Sequence, residues 1–177
     1  MEIATNVHTV DNVSGSNVVL LMDEQITVVD TGLPGNGPSI VEHVKQLGRK
    51  PEDVKRILIT HFHFDHSGSA LELRKLTGAS IIAHKDEVTT DKDGQTLLRK
   101  GEESEPPPYW YHMALKLTGL RGNGTRPQAK LHETPVQETV EHGDVIPCLG
   151  GINIIHSPGH TPGSISPLLS DPKILFL

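Results

Sequence analysis

The chain has 177 residues, 35% of them hydrophobic, with 22 acidic against 16 Lys and Arg side chains and a formal net charge of −6. That length suits one domain over residues 1–177 with a sizeable core. An acidic balance with no basic block argues against an extended phosphate-tracking surface, so nucleic acid is not a favoured partner, and no apolar run reaches the length of a membrane span.

The opening Met1-Glu2-Ile3-Ala4-Thr5-Asn6 has neither the basic region nor the apolar segment of a secretory signal, so the expected location is cytoplasmic. The single cysteine, Cys148, excludes an intrachain disulfide and fits a reducing compartment. Residues 3 to 10 and 17 to 22 read as strands joined by a polar turn. The second is apolar throughout, as a strand covered on both faces would be, and with 26 to 30 it makes an antiparallel meander. Asp30-Thr31-Gly32 ends that meander. Ser39-Ile40-Val41-Glu42 has the form of a capping box, and Ile40, Val41, Val44 and Leu47 give a helix one apolar face before Gly48 stops it. His43 falls on the opposite face and reads as solvated.

An apolar strand then runs into Thr60-His61-Phe62-His63-Phe64-Asp65-His66, which holds three imidazoles and one carboxylate within six residues. In an extended turn His61 and His63 point the same way and can share one ion, while Asp65 and His66 project toward a second. Imidazole nitrogen with carboxylate oxygen is the ligand set expected of zinc, though iron and manganese also accept it. The competing reading is a polar, incidentally metal-sticky loop. The strand before it, the acid within it and a second His-bearing loop at residues 156 to 164 weigh against that. The position at a strand's C-terminal end is where open sheets place their sites.

A helix is expected over 67 to 76, with Ala70, Leu71, Leu73 and Leu76 apolar, followed by a buried strand over 79 to 83. His84 at its end belongs to no ligand spacing and reads as structural or surface. Residues 85–135 read as an insertion, a lid-like segment. Its Tyr109, Trp110 and Tyr111 are three of the six aromatic residues of the chain and a candidate pocket wall for the substrate, or equally a hydrophobic plug. Residues 139 to 146 read as a hairpin turning at His142-Gly143-Asp144. Residues 152 to 155 form the strand that delivers His156-Ser157-Pro158-Gly159-His160. Pro167 cannot donate to a ladder, so its stretch is expected at an edge, at a bulge, or before a strand begins.

With Val28-Val29-Asp30-Thr31-Gly32 upstream and Ser157-Pro158-Gly159-His160-Thr161-Pro162-Gly163-Ser164 downstream, the His-x-His-x-Asp-His stretch resembles the metallo-beta-lactamase-fold hydrolases. The resemblance runs from about Asn6 to Leu177, and within the superfamily it leans to the glyoxalase II and lactonase branch. It implies a mixed α/β (α+β) fold, an αββα sandwich whose N-terminal half is complete and whose C-terminal half is largely missing. The strand at 173 to 177 is similar to one that leads, in the family, into a Gly-Asp bridging two metals, and the chain stops before it. A later family histidine is absent too, so the chain reads as C-terminally truncated, with its apolar last strand a candidate edge for homo-oligomer formation.

The resemblance further implies His61, His63 and His160 on a first zinc ion, with Asp65 and His66 left to hold a second, more weakly. Asp30 would orient the metal loop by hydrogen bonds, or simply cap a strand end. His156 is a neighbour rather than a ligand. The implied function is a metal-dependent hydrolase in which zinc-bound hydroxide attacks an ester, thioester, lactone or amide-type bond of a small-molecule substrate, Asp65 orienting the water or taking its proton. The alternatives are a non-catalytic or weakly active truncated zinc-binding domain, and a beta-lactamase, phosphodiesterase or nuclease of the same fold.

Overall fold

The structure is a computed structural model that describes residues 1–99 and 133–176. In chain order the elements begin with β1 (Glu2–Ala4), β2 (Val7–Thr9), β3 (Val19–Met22), β4 (Ile26–Val29), α1 (Gly37–Gln46) and β5 (Val54–Leu58). Then follow α2 (Phe64–Ser67), α3 (Ala70–Thr77), β6 (Ser80–His84), β7 (Val88–Thr90), β8 (Thr96–Leu98) and β9 (Glu138–Val140). The last four are β10 (Val145–Ile146), β11 (Ile152–His156), β12 (Ile165–Leu169) and β13 (Ile174–Leu175).

One sheet has seven strands in the order β1-β2-β3-β4-β5-β6-β9. It is antiparallel as far as β4, and parallel from there onward. The other is an antiparallel four-stranded sheet, β10-β11-β12-β13, and β7 with β8 forms a separate ribbon.

Both faces of the large sheet are covered, which is why its inner strands are apolar without alternation. Val18, Leu20, Val28, Ile57 and Ile81 point to one side, against Ile40, Val41 and Val44 of α1 and Ala70 and Leu73 of α3. The intervening Val19, Leu21, Val29, Leu58 and Ile82 point to the other, against Ile146, Ile152, Ile154, Ile165 and Leu169 of the small sheet. A period of two along each strand thus feeds two cores, and burying one such Leu or Ile is worth roughly 2 kcal/mol. The layers are helices, sheet, sheet; no helix among the described residues covers the outer face of the small sheet. Nor is any described helix long and apolar enough to cross a membrane.

Several local expectations are corrected. The first strand is broken at Asn6, whose φ of 62° turns the chain between β1 and β2. Helix α1 starts earlier than the Ser39 capping box would have it. Asn36 is its cap, Pro38 stands in its first turn, and the Asn36 side chain makes no capping hydrogen bond. The side chain of Asn36 instead donates to the carbonyls of Ser14 and Thr31. His43 is half-buried, its Nε2 enclosed without a hydrogen-bond partner, and that burial lowers its pKa. The helix expected over 67 to 76 begins at Ala70 as α3, a separate short helix α2 lies before it over Phe64–Ser67, and Leu76, expected on the apolar face, is 45% exposed.

Residues 139 to 146 are not a hairpin. β9 pairs with β6 and β10 with β11, so the turn between them carries the chain from one sheet to the other. Pro167 lies inside β12, opposite Ile154. Its carbonyl accepts from Phe176 N–H on the β13 side, so its missing donor faces the end of a two-residue strand, where few bonds are lost. The apolar end is also less bare than its sequence suggests, for Phe176 is buried while Leu175 is 47% exposed.

Candidate metal centre

Asp30 follows β4 in the left-handed region, at φ 56°, a conformation that Asp tolerates better than most residues. Its carboxylate thereby turns beneath the end of β5. Oδ1 accepts from Thr60 N–H at 2.9 Å, while Oδ2 accepts from the Thr60 hydroxyl at 2.8 Å and lies 2.7 Å from His66 Nδ1. Next door, Thr31 donates both its N–H and its hydroxyl to the His66 carbonyl, at 2.7 and 2.9 Å. The histidine loop is therefore held at its start and at its end by the Asp30-Thr31 pair.

Between those anchors Phe62 packs into the helix-side core, which leaves its neighbours His61 and His63 on the opposite side. His160 arrives from the loop between β11 and β12, and one nitrogen from each of His61, His63 and His160 falls within 4.8 Å of the other two. His61 is buried and His160 exposed, so the cluster runs from the core to the surface. His63 Nδ1 lies 2.9 Å from His160 Nε2, and the His61 ring is edge-on to both.

His61 Nε2 is buried with no hydrogen-bond partner, an arrangement that costs free energy in a metal-free chain. An orphaned nitrogen beside two nitrogens facing each other is a donor set that fits a divalent ion. Electrostatics agree. Burial, reinforced by the charges of His66, His160 and His63, pushes the His61 pKa down to about 4, and burial followed by His160 lowers that of His63. Both rings are thus biased toward the neutral form a ligand needs.

His66 differs. Burial opposes its charged form, yet the hydrogen bond and charge of Asp30, helped by Asp65, outweigh burial and raise its pKa. With Nδ1 committed to Asp30, only Nε2 is left, and it stands 4.0 Å from Asp65 Oδ2. Asp65, its side chain 47% exposed, and His66 thus share a face, but they are not joined there by a third His, Cys, Asp or Glu among the described residues. Tyr109, Trp110 and Tyr111, with His112 and His132, lie outside the described residues.

His84, Asp86 and His156 form a second close group. His84 is buried, and its ring stacks on His156 at 4.1 Å with only 15° between the planes. Parallel rings aim their lone pairs alongside each other rather than at one point. His84 Nδ1 already accepts from Asp86 N–H, and His156 Nε2 faces the Pro162 carbonyl. This is a packing pair, and it seats the strand leading to His160.

Glu87 was not legible in the sequence, where Lys85-Asp86-Glu87 looks like a solvated charge run. It is 0% exposed. Its Oε2 accepts from Phe62 N–H at 2.6 Å, and its Oε1 from the Thr161 hydroxyl at 2.7 Å and Gly163 N–H at 2.6 Å. No periodicity or motif marks such a residue; only its position beneath both loops does.

Comparison with known proteins places this geometry. The family model described as "Metallo-beta-lactamase superfamily" matches residues 11–177. The chain is 31% identical to YobT of Bacillus subtilis (strain 168) over 156 residues, covering 85% of this chain and 55% of that one. It is 33% identical to the Homo sapiens acyl-coenzyme A thioesterase MBLAC2 over 170 residues, covering 86% and 53%. Among solved structures it resembles MEM-A1, a subclass B3 metallo-beta-lactamase isolated from a soil metagenome library, with TM-score 0.63 and 28% identity over 92% of this chain and 54% of that one. The chain thus spans about half the length of these relatives. With the matched model running through both histidine loops, the chain belongs to the metallo-beta-lactamase superfamily.

Proposed function

We propose that this chain carries the first metal site of a zinc-dependent hydrolase that opens an ester or thioester bond of a small molecule. The observation that carries the reading is the convergence of one nitrogen each from His61, His63 and His160 within 4.8 Å, with His61 Nε2 buried and unpartnered. These three would hold the ion and leave a fourth position open, the arrangement of a catalytic rather than a closed structural site. When bound, zinc supplies a Lewis acid and a water molecule that ionises near neutral pH.

The chain's own groups do the rest. His61, neutral above about pH 4, keeps its lone pair available across the physiological range. Asp65 at the exposed lip of the cluster orients water or accepts its proton. Asp30 fixes the His66 ring so that Nε2 faces the site. His66 and Asp65 would hold a second ion, weakly if no third ligand joins them, and none does among the described residues. Thioester and ester substrates are favoured because MBLAC2, 33% identical, is named an acyl-coenzyme A thioesterase. The single cysteine, Cys148, is buried, which raises its pKa and leaves the thiol unreactive.

The test counts zinc per chain and follows turnover of ester, thioester, lactone and β-lactam reporters with and without added zinc. The expected result is about one tightly held ion per chain and zinc-dependent hydrolysis that His61→Ala and His160→Ala each abolish. Zinc binding without turnover of any reporter would instead favour a metal-stabilised domain that does not catalyse. What favours that second reading is that no third His, Cys, Asp or Glu joins Asp65 and His66 among the described residues.

A further inference from the structure

We infer that Glu87 is the positioning residue that sets the spacing between the two histidine loops, and through it the zinc affinity of the His61, His63 and His160 site. The inference rests on the metal reading given under Proposed function. The two loops come from different sheets, His61 and His63 from the end of β5 and His160 from between β11 and β12. Besides the contact of His63 with His160, their backbones meet where Ile165 N–H donates to the Thr60 carbonyl at 3.0 Å. Glu87 is the side chain that bridges them. One oxygen takes the N–H of Phe62, the residue between His61 and His63. The other takes Gly163 N–H and the hydroxyl of Thr161, the residue after His160.

Three features show that the bridge is built rather than incidental. Glu87 and Thr161 are both buried, at 0% and 4% exposure, so their bonds do not compete with water. Thr161 is itself fixed, its N–H donating to Ser164 Oγ at 3.0 Å and its hydroxyl 2.7 Å from the same oxygen. Gly163 leaves the room required, because a Cβ there would stand 2.8 Å from Glu87 N and Cγ and from the Asp86 carbonyl carbon. Glu87 touches none of the three histidines. Its charge is felt by His63, and its hydrogen bonds hold the loops through the Phe62 and Gly163 N–H groups and the Thr161 hydroxyl, which fixes where the imidazoles start from.

Chemistry dictates which substitutions matter. Glu87→Gln keeps one oxygen for Thr161 and Gly163 but sets an amide NH2 against Phe62 N–H, donor facing donor. Glu87→Asp is one methylene short and cannot reach both loops. A suitable control is Glu72→Gln, which removes a carboxylate accepting Gly37 N–H at 3.0 Å, at the start of α1 and away from the histidines.

The experiment measures zinc affinity of the 177-residue chain by competition with a chromophoric chelator, and the visible spectrum after cobalt substitution. Outer partners of ligands are typically worth 10–100-fold in metal affinity. Glu87→Gln and Glu87→Asp are expected to weaken zinc binding at least about tenfold and to shift the cobalt bands, while Glu72→Gln lowers thermal stability and leaves affinity within about threefold of the parent. Parent-like affinity and cobalt spectrum in Glu87→Gln would overturn the inference, and so would equal losses in Glu87→Gln and Glu72→Gln.

If Glu87→Gln does not fold, Thr161→Val takes its place. It should weaken zinc at least about threefold, with Thr161→Ser restoring affinity; parent-like affinity in Thr161→Val overturns the bridge. Failure of the parent chain to bind zinc would sink the metal reading itself, a result distinct from parent and variant binding alike.

Discussion

His63 Nδ1 and His160 Nε2 stand 2.9 Å apart, although 97 positions separate them in the chain. Two unprotonated nitrogens at that distance repel, so in the metal-free chain one of them carries a proton. A bound ion would replace it. Since outer partners of ligands are worth 10–100-fold, losing either nitrogen should weaken zinc by roughly a hundredfold or more. Titration calorimetry of His63→Ala and His160→Ala checks this, with His43→Ala on α1 expected to bind as the parent does.

Acid should destabilise the metal-free protein in a defined window. The folded-state pKa of His61 is depressed to about 4 from the ordinary 6.5, so between those values the unfolded chain binds more protons and stability falls as pH falls. His63 and His84 shift in the same direction. His66 opposes them. Its raised pKa contributes stability that is full below 6.5 and fades as pH rises through the folded value. For buried His61 the loss is on the order of 3 kcal/mol, complete a little below pH 4. Urea midpoints after chelator treatment, taken from pH 7 to 4, should decline over this range and decline less in His61→Leu. A flat parent profile would refute the assignment.

Asp30 holds both the charge of His66 and the end of β5. Asp30→Asn, which still tolerates φ 56°, should keep the fold and lower the His66 pKa, as read by NMR titration of the imidazole. Asp30→Ala strains the backbone and removes the acceptor for Thr60 and His66, so a loss of about 3 kcal/mol is expected in chemical denaturation.

Gly68 sits where α2 passes the Pro34 loop. A Cβ there would lie against the Phe64 carbonyl oxygen, Pro34 Cδ and Pro34 N. Two of those three atoms belong to backbone, so the contact cannot open by a side-chain rotation. Gly68→Ala should lose about 1–3 kcal/mol of stability, the range for overpacking, and its melting temperature reports this directly.

Zinc should also stabilise the folded chain by mass action. At a free concentration one hundred times the dissociation constant the gain is about 2.7 kcal/mol. Scanning fluorimetry with increasing zinc, then with excess chelator, should raise and restore the melting temperature. His160→Ala should show little of either change.

What the sequence displayed was whatever depends on local order. The apolar run through Leu20 and Leu21 announced a strand covered on both faces, and the two-residue spacing of His61 and His63 announced a shared side, since Phe62 has the core to enter. Long-range choices were hidden. Val140 and Val145 differ by five positions and read as one hairpin, yet they belong to different sheets, because nothing in a short turn says which neighbour a strand will find. Pro167 was legal in mid-strand only because β13 is short on its donor side. Glu87 and Asn36 were invisible for a related reason. A polar residue buried for its hydrogen bonds looks, in sequence, like one that faces water.

The turn that moves the chain between sheets has a topological outcome. In the proposed reading, an ion held by His63 and His160 would tie the chain into a ring that includes, in sequence, the stretch between β8 and β9. Ring-closure entropy grows only with the logarithm of circumference, about 0.6 kcal/mol for each doubling. Descendants of such a sequence can therefore lengthen, shorten or rewrite that stretch with little effect on how firmly the metal is held, and selection is free to try new chemistries of recognition while the clasp stays as it is.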